Sequence, residues 1–454
     1  MAPPDTLGLE PGPTPTPPGN GPTQVARAVG RYRWVIGAAL ALITAISYLD
    51  RQTLPVVIGE IQRDIPISNV AFSRLQALFL VAYAVMYAGG GRLVDLVGTR
   101  LGYALVAGLW SAGCMLHATA SSVLGLGAFR FLLGLGEGGG FPASAKAVSE
   151  WFPPRERSLA VGLFNTGSAL GAIAAPPLIA AIVYRSNWRM VFLVTGALGV
   201  LWAIVWLLGY APASTSRFVG EAERRYLLEN GIGRRDSAAS VGWLDLLRLR
   251  QVWTLVVVKF LTDGAWFFFL FWLPKYLGDA RGFKMAAIGS YAWIPYAFAG
   301  VGSLAGGWFS ASLIRRGVSL SASRKIALGV SAALLPCSLL VVQSPLHLAM
   351  LFVSLAFLGH QFWSVIVQTL PTDLFPSRAV GSVAGLIGCA GSFGAMLFNL
   401  LVGVLLDALG SYRVPFLLAG VMHPLSFLLI VLTLRRIEPI ALGGQSPGGA
   451  AVEG

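Results

Sequence analysis

The sequence predicts an all-helical membrane protein of about twelve transmembrane helices. Its 454 residues are 56% hydrophobic and only 12% charged, with a mean hydropathy of +0.71, whereas a soluble domain carries about a quarter charged residues. A membrane-crossing helix needs about 20 mainly apolar residues, and the chain contains about a dozen such stretches. Lipid is therefore its main solvent.

The apolar stretches fall into two sets of six, separated by a polar and basic segment. We predict the first set at 34–57, 73–94, 102–120, 124–148, 159–184 and 190–210, and the second at 252–278, 286–313, 325–343, 346–372, 380–408 and 414–434. The chain then divides into a disordered cytoplasmic tail (1–30), an N-terminal six-helix half (31–210), a cytoplasmic linker (211–250), a C-terminal six-helix half (251–436) and a second cytoplasmic tail (437–454). In the linker, Glu221–Leu228 resembles a short helix.

The basic residues predict how the chain is oriented. The net charge is +13, but no basic run is interleaved with stacking aromatic residues, so nucleic acid is not an expected partner. With both termini on the inner side, 21 of the 33 Lys and Arg residues fall in inner segments, the asymmetry typical of cytoplasmic loops. We therefore expect a multi-pass protein of the cytoplasmic membrane with both termini in the cytoplasm.

The two halves resemble each other in sequence. The segment from Glu150 to Arg155, with Phe-Pro inside it, is echoed by the segment from Asp373 to Arg378. The same register continues from Gly171-Ala172 to Gly394-Ala395. Such a repeat predicts two pseudo-symmetric halves with a substrate site between them, near the middle of the bilayer.

Enzymatic and metal chemistry find no support in the sequence. Cys114, Cys337 and Cys389 all lie in apolar stretches without metal-ligand spacing, so we interpret them as free thiols. No Ser-His-Asp order or phosphate-binding loop stands out. The run Gly134–Gly140 superficially suggests a nucleotide loop, but its position in an apolar span favours close helix packing instead.

The loop between the second and third spans carries a recognisable motif, with Gly91, Asp95, Gly98 and Arg100 at its key positions. It resembles the signature that the major facilitator superfamily has in this loop. The resemblance implies a conformational latch, in which Gly91 allows close helix approach, Asp95 accepts charge-assisted bonds and Arg100 holds the inner side. The second half has Ala311 where the acid is expected, so its latch is predicted to be weaker.

A closer resemblance extends over most of residues 30–436. The segments that carry it are Tyr48–Gln52, Arg130–Pro142, Lys259–Asp263 with Phe271–Lys275, Trp188-Arg189 and His360–Ser364. In their order and spacing they resemble the anion:cation symporter family, specifically its hexuronate-transporter-like branch. The chain departs from that branch at Gly140 and Ala169, where Asn is frequent, and at Gly264, where Pro is frequent.

Charged residues inside the spans are the main functional candidates, because each costs at least about 2.5 kcal/mol to insert. Arg130 and Glu137 are seven residues apart and so lie on one face of the fourth span, where both can face a central cavity. Asp50 and Arg51 are adjacent in the first span and must point in different directions. One could contact substrate and the other a neighbouring helix.

The family resemblance assigns roles to these four residues. It implies that Arg51 holds the substrate carboxylate, that Glu137 is the principal proton carrier and Asp50 a second one, and that Arg130 is a partner that responds to their protonation. This is consistent with the chemistry, because arginine stays charged and its planar fork matches a carboxylate, whereas a carboxyl group can switch between charged and neutral forms. The alternative is a permanent ion network that only fixes helix packing.

Further polar residues could bind the hydroxyl groups of a substrate. These are Tyr83 in the second span, Asn165 and Ser168 in the fifth, and Gln361 and Trp363 in the tenth. For each one alone, helix–helix hydrogen bonding is the commoner explanation. Lys259 and Asp263 are spaced to form an ion pair on one helical face, either as a structural salt bridge or as substrate contacts.

Together these features predict a secondary active transporter that takes up a small organic anion, a hexuronate or other sugar acid, with protons by alternating access. We expect the proton as coupling ion, no cofactor or metal, lipid contact and a monomer. Two alternatives stay open: a proton-coupled exporter of drugs or metabolites on the same fold, and a membrane sensor that binds a metabolite without moving it. Arg51 and Arg130 favour an anionic substrate, and no soluble output domain is visible in the sequence.

Overall fold

The computed structural model describes residues 31–213, 215–230, 232 and 243–440. Within these ranges every regular element is a helix. The N-terminal half contains α1 Tyr32–Asp64, α2 Asn69–Val97, α3 Thr99–Leu116, α4 Val123–Gly138, α5 Gly140–Trp151, α6 Pro154–Arg185 and α7 Trp188–Gly209. The linker contains α8 Glu221–Glu229 and α9 Trp243–Leu247. The C-terminal half contains α10 Arg250–Asp279, α11 Met285–Tyr291, α12 Trp293–Arg315, α13 Leu320–Leu334, α14 Leu346–Leu374, α15 Ser377–Leu409 and α16 Arg413–Thr433.

The helices agree with the predicted spans except where two spans are broken. Among the described residues, 11 helices or helix pairs are long and apolar enough to cross a membrane, and the divided fourth span, α4 with α5, supplies the twelfth. The predicted continuous helices over 124–148 and 286–313 are interrupted at Gly139 and Ala292. A proline follows each break, Pro142 after the first and Pro295 after the second. Proline has no N–H to donate to the carbonyl four residues earlier, and its ring clashes with that carbonyl oxygen. Each break lies next to the carbonyl concerned.

Some predictions fall at the edges of the described chain. The helix expected at Glu221–Leu228 is present, whereas the sequence analysis missed the short α9. The first predicted tail, residues 1–30, lies outside the described residues, as do positions 441–454 of the second. Residues 437–440 pack on the C-terminal half, where the Ile440 amide donates to the Leu374 carbonyl. The three cysteines are free thiols, as expected.

The two halves use the same helix pairings. In the N-terminal half α1 packs on α6, α2 on α4 and α3 on α7; in the C-terminal half α10 packs on α15, α12 on α14 and α13 on α16. The halves meet where α2 packs on α15 and where α6 packs on α11 and α12. When the two halves are swapped, the contact of α2 with α15 maps onto the contact of α12 with α6. The molecule therefore has the two-fold pseudo-symmetry that the sequence repeat predicts.

Small residues permit the closest of these pairings. A Cβ added to Gly167 or Gly171 of α6 would collide with the Ala41 or Ala45 carbonyl of α1. The corresponding contact in the other half joins Gly394 of α15 to the Phe260 carbonyl of α10. Membrane helices gain stability from such close backbone approach, because lipid provides no hydrophobic force between them.

We expect the substitution Gly171→Ala to destabilise the protein by about 1–3 kcal/mol, because the added methyl group must push α1 and α6 apart. Gly162→Ala is the matched control, since Gly162 lies on the same helix with open space where its Cβ would be. The measurement is the thermal unfolding midpoint of the purified protein in one detergent. Equal midpoints for the two variants would contradict the proposed packing role of Gly171.

The halves are sealed at the end of the molecule where α1 ends and α2 begins. The Asp407 carboxylate of α15 accepts hydrogen bonds from the backbone amides of Asn69 and Val70, at 3.2 and 2.9 Å. Nearby, Phe72 packs edge-on against Trp272 of α10, with ring centroids 4.9 Å apart. A cleft lies beyond this seal, towards the end where α1 and α3 begin.

Candidate functional site

A cleft in the N-terminal half is lined by five of the predicted site residues, Arg51, Tyr83, Glu137, Asn165 and Ser168. It encloses about 500 Å³ of empty space, including its open mouth. Its polar lining consists of Thr44, Ser47, Arg51, Glu137, Ser144, Asn165 and Ser168. Its aromatic lining consists of Tyr48, Tyr83, Tyr103, Trp110, Phe141 and Phe164.

Arg51 and Glu137 form an ion pair in the wall of this cleft. The Arg51 Nε and Nη2 atoms both donate to Glu137 Oε2, at 3.0 and 2.7 Å. The two residues are 4% and 3% exposed. The sequence predicted separate roles for them, and the structure adds that they are direct partners.

The pair leaves one oxygen without a partner. The Glu137 Oε1 atom is buried and makes no hydrogen bond among the described residues. The arginine side of the pair is enclosed by aromatic rings, with the Arg51 guanidinium carbon 4.6 Å from the Tyr48 ring centroid and 5.1 Å from that of Tyr83. These rings stabilise the cation from the side, so the guanidinium edge stays directed at its carboxylate partner.

Asp50 and Arg130 lie behind the cleft and do not line it. Asp50 is fully buried and accepts a hydrogen bond from the Cys114 thiol of α3, at 3.4 Å. Arg130 is also fully buried, and its Nη2 donates to the Arg51 carbonyl over 3.4 Å. Its Nε and Nη1 atoms make no hydrogen bond among the described residues. Arg130 shares a helix with Glu137, but two turns separate them by about 10 Å along the axis, which places Arg130 deeper, towards the seal.

The predicted hydroxyl-binding residues divide between the halves. Tyr83, Asn165 and Ser168 all line the cleft. In the C-terminal half, Gln361 is half-buried and does not line it. Trp363 is 1% exposed and packs edge-on against His423 in the interior of that half. The structure therefore does not bring Trp363 to the cleft.

Several cleft residues were missed by sequence reasoning. Thr44, Ser47 and Tyr48 line the cleft from the same face of α1 as Arg51. They precede Arg51 by seven, four and three residues, which is the spacing of one helical face. This signal was therefore present in the sequence. The aromatic residues Phe141 and Phe164 gave no such signal, because an apolar span contains many similar side chains.

The C-terminal half has different chemistry at the position of the ion pair. A Cβ added to Gly90 would meet the Gly139 Cα at 2.9 Å, and one added to Gly306 would meet the Phe362 Cα at 3.0 Å. Gly90 and Gly306 are equivalent positions of the repeat, so Gly139 corresponds to Phe362. Two residues earlier, Glu137 therefore corresponds to His360. The contacts of Gly171 and Gly394 likewise make Trp266 the counterpart of Arg51.

In place of an ion pair, Trp266 and His360 form a parallel stack with ring centroids 4.7 Å apart. At this position the described residues therefore form an ion pair in the N-terminal half and a ring stack in the C-terminal half. His360 in turn contacts a second buried histidine, His423, with 3.0 Å between Nδ1 and Nε2.

The predicted latch residues lie at the end opposite the seal. Asp95 pairs with Lys146 of α5 at 2.7 Å, and Arg100 donates to the Leu207 carbonyl at the end of α7. Gly98 adopts a positive φ of 83° between α2 and α3. One expectation was wrong: Gly91 does not make the close approach, since a Cβ there would have only an ordinary 3.8 Å contact with Pro142. The preceding Gly90 makes it.

The acid that is repeated in both halves, Glu150 and Asp373, contacts different partners in each half. Arg324 at the start of α13 donates to the Asp373 carboxylate at 2.8 Å and to the Ser310 hydroxyl at 2.9 Å. In the first half the equivalent acid, Glu150, accepts hydrogen bonds from Thr99 and Tyr210, both at 2.6 Å. The repeated acid thus anchors the start of α3 and the residue after α7 in the first half, and the start of α13 in the second half.

Comparison with known proteins identifies the family. The family model described as Major Facilitator Superfamily matches residues 40–398. The chain belongs to the major facilitator superfamily. It is 34% identical to the hexuronate transporter of Escherichia coli K12 over 392 residues, covering 85% of this chain and 90% of that one. It is also 34% identical to the galacturonate transporter of Dickeya chrysanthemi over 306 residues, covering 67% of this chain and 89% of that one.

A solved structure supports the same fold. A bacterial homolog of the human lysosomal transporter Spinster, in an inward-facing and unoccupied conformation, superimposes with a TM-score of 0.72 at 18% sequence identity. The match covers 95% of this chain and all of the other. This likeness shows the fold. The family match and the named relatives show that the chain is a multi-pass membrane protein of a transporter family and not an enzyme.

Proposed function

We propose that this protein takes up a small organic anion, a hexuronate or related sugar acid, together with protons. The observation that carries the proposal is the Arg51–Glu137 pair in the cleft wall. A substrate carboxylate and the Glu137 carboxylate would compete for the same guanidinium nitrogens. A proton that neutralises Glu137 releases Arg51 for the substrate, so proton and anion binding favour each other.

Release would reverse this order. On the cytoplasmic side Glu137 loses its proton, recovers its ion pair with Arg51 and displaces the substrate carboxylate. Asp50 is proposed as a second proton carrier. Arg130 is proposed as the cation that responds to both carboxyl groups, because its side chain donates to the backbone carbonyl of Arg51. Their burial behind the cleft places them away from the substrate itself.

A sugar acid fits the remaining cleft chemistry. Tyr83, Asn165 and Ser168 can exchange hydrogen bonds with hydroxyl groups. The rings of Tyr48 and Phe141 can pack on the apolar face of a sugar. The names of the two transporters that are 34% identical to this chain point to the same substrate class. Gln361 is proposed as a contact supplied by the C-terminal half when the halves close.

The charge distribution suggests which side of the membrane the cleft faces. With basic loops in the cytoplasm, the seal at Asp407 lies on the outer side and the cleft faces inward. Alternating access then requires the two halves to rock about the midplane site. We propose that a monomer performs this cycle, with both termini in the cytoplasm.

The decisive experiment is uptake of labelled D-galacturonate into proteoliposomes. We expect accumulation when the outside is more acidic than the inside, and its loss when a protonophore collapses the gradient. Uptake that ignores the pH gradient would overturn the coupling. If lipophilic cations and not carboxylates raise the thermal unfolding midpoint of the purified protein, the exporter alternative would replace the proposal.

A further inference from the structure

An ion pair within the C-terminal half has no part in the mechanism described so far. The Lys259 Nζ atom lies 2.8 Å from both carboxylate oxygens of Asp263, and each side chain is 13% exposed. Both belong to the membrane-spanning helix α10. Charged groups inside a membrane are costly and are usually retained for function, so the direction in which this pair faces is decisive.

The pseudo-symmetry of the halves gives that direction. Gly171 and Gly394 are equivalent in the repeat, and they contact the carbonyls of Ala45 and Phe260. Ala45 of α1 therefore corresponds to Phe260 of α10. In this register Lys259 corresponds to Thr44 and Asp263 to Tyr48. Both Thr44 and Tyr48 line the substrate cleft. The ion pair therefore occupies the face of α10 that the repeat directs into the space between the halves.

Contacts from other helices support this placement independently. The Asp263 carboxylate packs directly on Gly391 of α15, where a Cβ would collide with it. Gly391 corresponds to the cleft residue Ser168 in the same register. One turn earlier on α15, Gly388 packs against Tyr87 of the N-terminal half, whose hydroxyl is within electrostatic range of Asp263. The ion pair thus faces the half that holds Arg51.

We propose that Lys259 and Asp263 form a distal subsite, which binds the end of the substrate remote from the carboxylate held by Arg51. This inference rests on the proposed function. An ammonium group supplies donors and a carboxylate supplies acceptors, so the pair matches the vicinal hydroxyl groups of a sugar. A second carboxylate at that end would be repelled by Asp263, which already neutralises Lys259. The subsite therefore selects sugar monocarboxylates over dicarboxylates.

The test measures the affinities of the purified full-length protein for galacturonate and for galactarate, its dicarboxylate analogue. The substitution Asp263→Asn leaves Lys259 as an unneutralised cation, so the affinity ratio should move towards galactarate by roughly tenfold or more. Lys259→Gln leaves a bare carboxylate and should move the ratio in the opposite direction. Each ratio comes from one preparation, so partial loss of folded protein affects both affinities equally.

The chain provides a matched control. Lys275 and Asp279 form an ion pair with the same spacing at the far end of α10, so Asp279→Asn should leave the ratio unchanged. Unchanged ratios in both Asp263→Asn and Lys259→Gln, with galacturonate still bound, would overturn the distal subsite and leave a structural salt bridge. Failure of the wild-type protein to bind either acid would overturn the proposed function and this inference with it.

Discussion

Replacing Arg51 by lysine should reduce sugar-acid uptake by about a hundredfold or more, because charge-assisted hydrogen bonds to a carboxylate are lost. Lysine keeps the positive charge but lacks the planar fork with which Arg51 now donates twice to Glu137. Its ammonium group also prefers to stay close to the buried Glu137 carboxylate. The measurement is the initial rate of galacturonate uptake at equal amounts of reconstituted protein.

The control for this substitution lies on the same helix. Arg63 has a 73% exposed side chain and pairs with Glu60 near the end of α1 that lies away from the cleft, so Arg63→Lys should transport at the wild-type rate. If Arg51→Lys also transported at the wild-type rate, the substrate carboxylate would have to be held by another residue. Binding measured on the same preparations separates lost affinity from lost movement.

Replacing Glu137 by glutamine should abolish accumulation while preserving exchange. Glutamine resembles the protonated acid in shape and charge, so Arg51 stays available to the anion on both sides of the membrane. One-proton coupling would otherwise accumulate a monoanion about tenfold per unit of pH gradient. We expect this accumulation to disappear in Glu137→Gln, whereas counterflow of labelled against unlabelled galacturonate continues and becomes independent of pH.

The exposed pair on α1 again supplies the control. Glu60→Gln removes a carboxylate that pairs with Arg63 away from the cleft, and it should accumulate substrate as the wild type does. Gradient-driven accumulation by Glu137→Gln would assign the coupling proton to another group, with Asp50 as the next candidate. Loss of counterflow as well would instead make Glu137 a residue needed for binding or movement in itself.

The architecture could be predicted from the sequence because each span and each loop carries its own hydropathy or charge signal. Hydropathy and loop charge located the spans, and the repeated Glu150 and Asp373 segments revealed the two halves. The helix breaks at Gly139 and Ala292 were not predicted, although Pro142 and Pro295 were visible. A proline disrupts the carbonyl four residues earlier, but Pro55, Pro274 and Pro371 lie inside helices that continue unbroken. The rule alone therefore could not single out the two breaks.

The site was predictable in its charges but not in its geometry. The cost of placing ions in lipid singled out Asp50, Arg51, Arg130 and Glu137. Sequence could not show that Arg51 and Glu137 pair directly, because that depends on how far α1 and α4 are shifted along each other. Likewise, the helical periodicity placed Arg130 on the face of Glu137, whereas its depth below the cleft came only from the packed structure.

The Asp407 carboxylate of the opposite half adds to the N-terminal cap of α2, whose own Ser68 side chain accepts a hydrogen bond from the Ala71 amide. Any rearrangement that separates the start of α2 from the end of α15 exposes the Asn69 and Val70 amides to water. Because Asp407 is exposed there, that exchange should cost only about 0.5–2 kcal/mol, the usual value of a helix cap. A contact of this strength favours the closed arrangement without locking it, which is compatible with the alternating access proposed above.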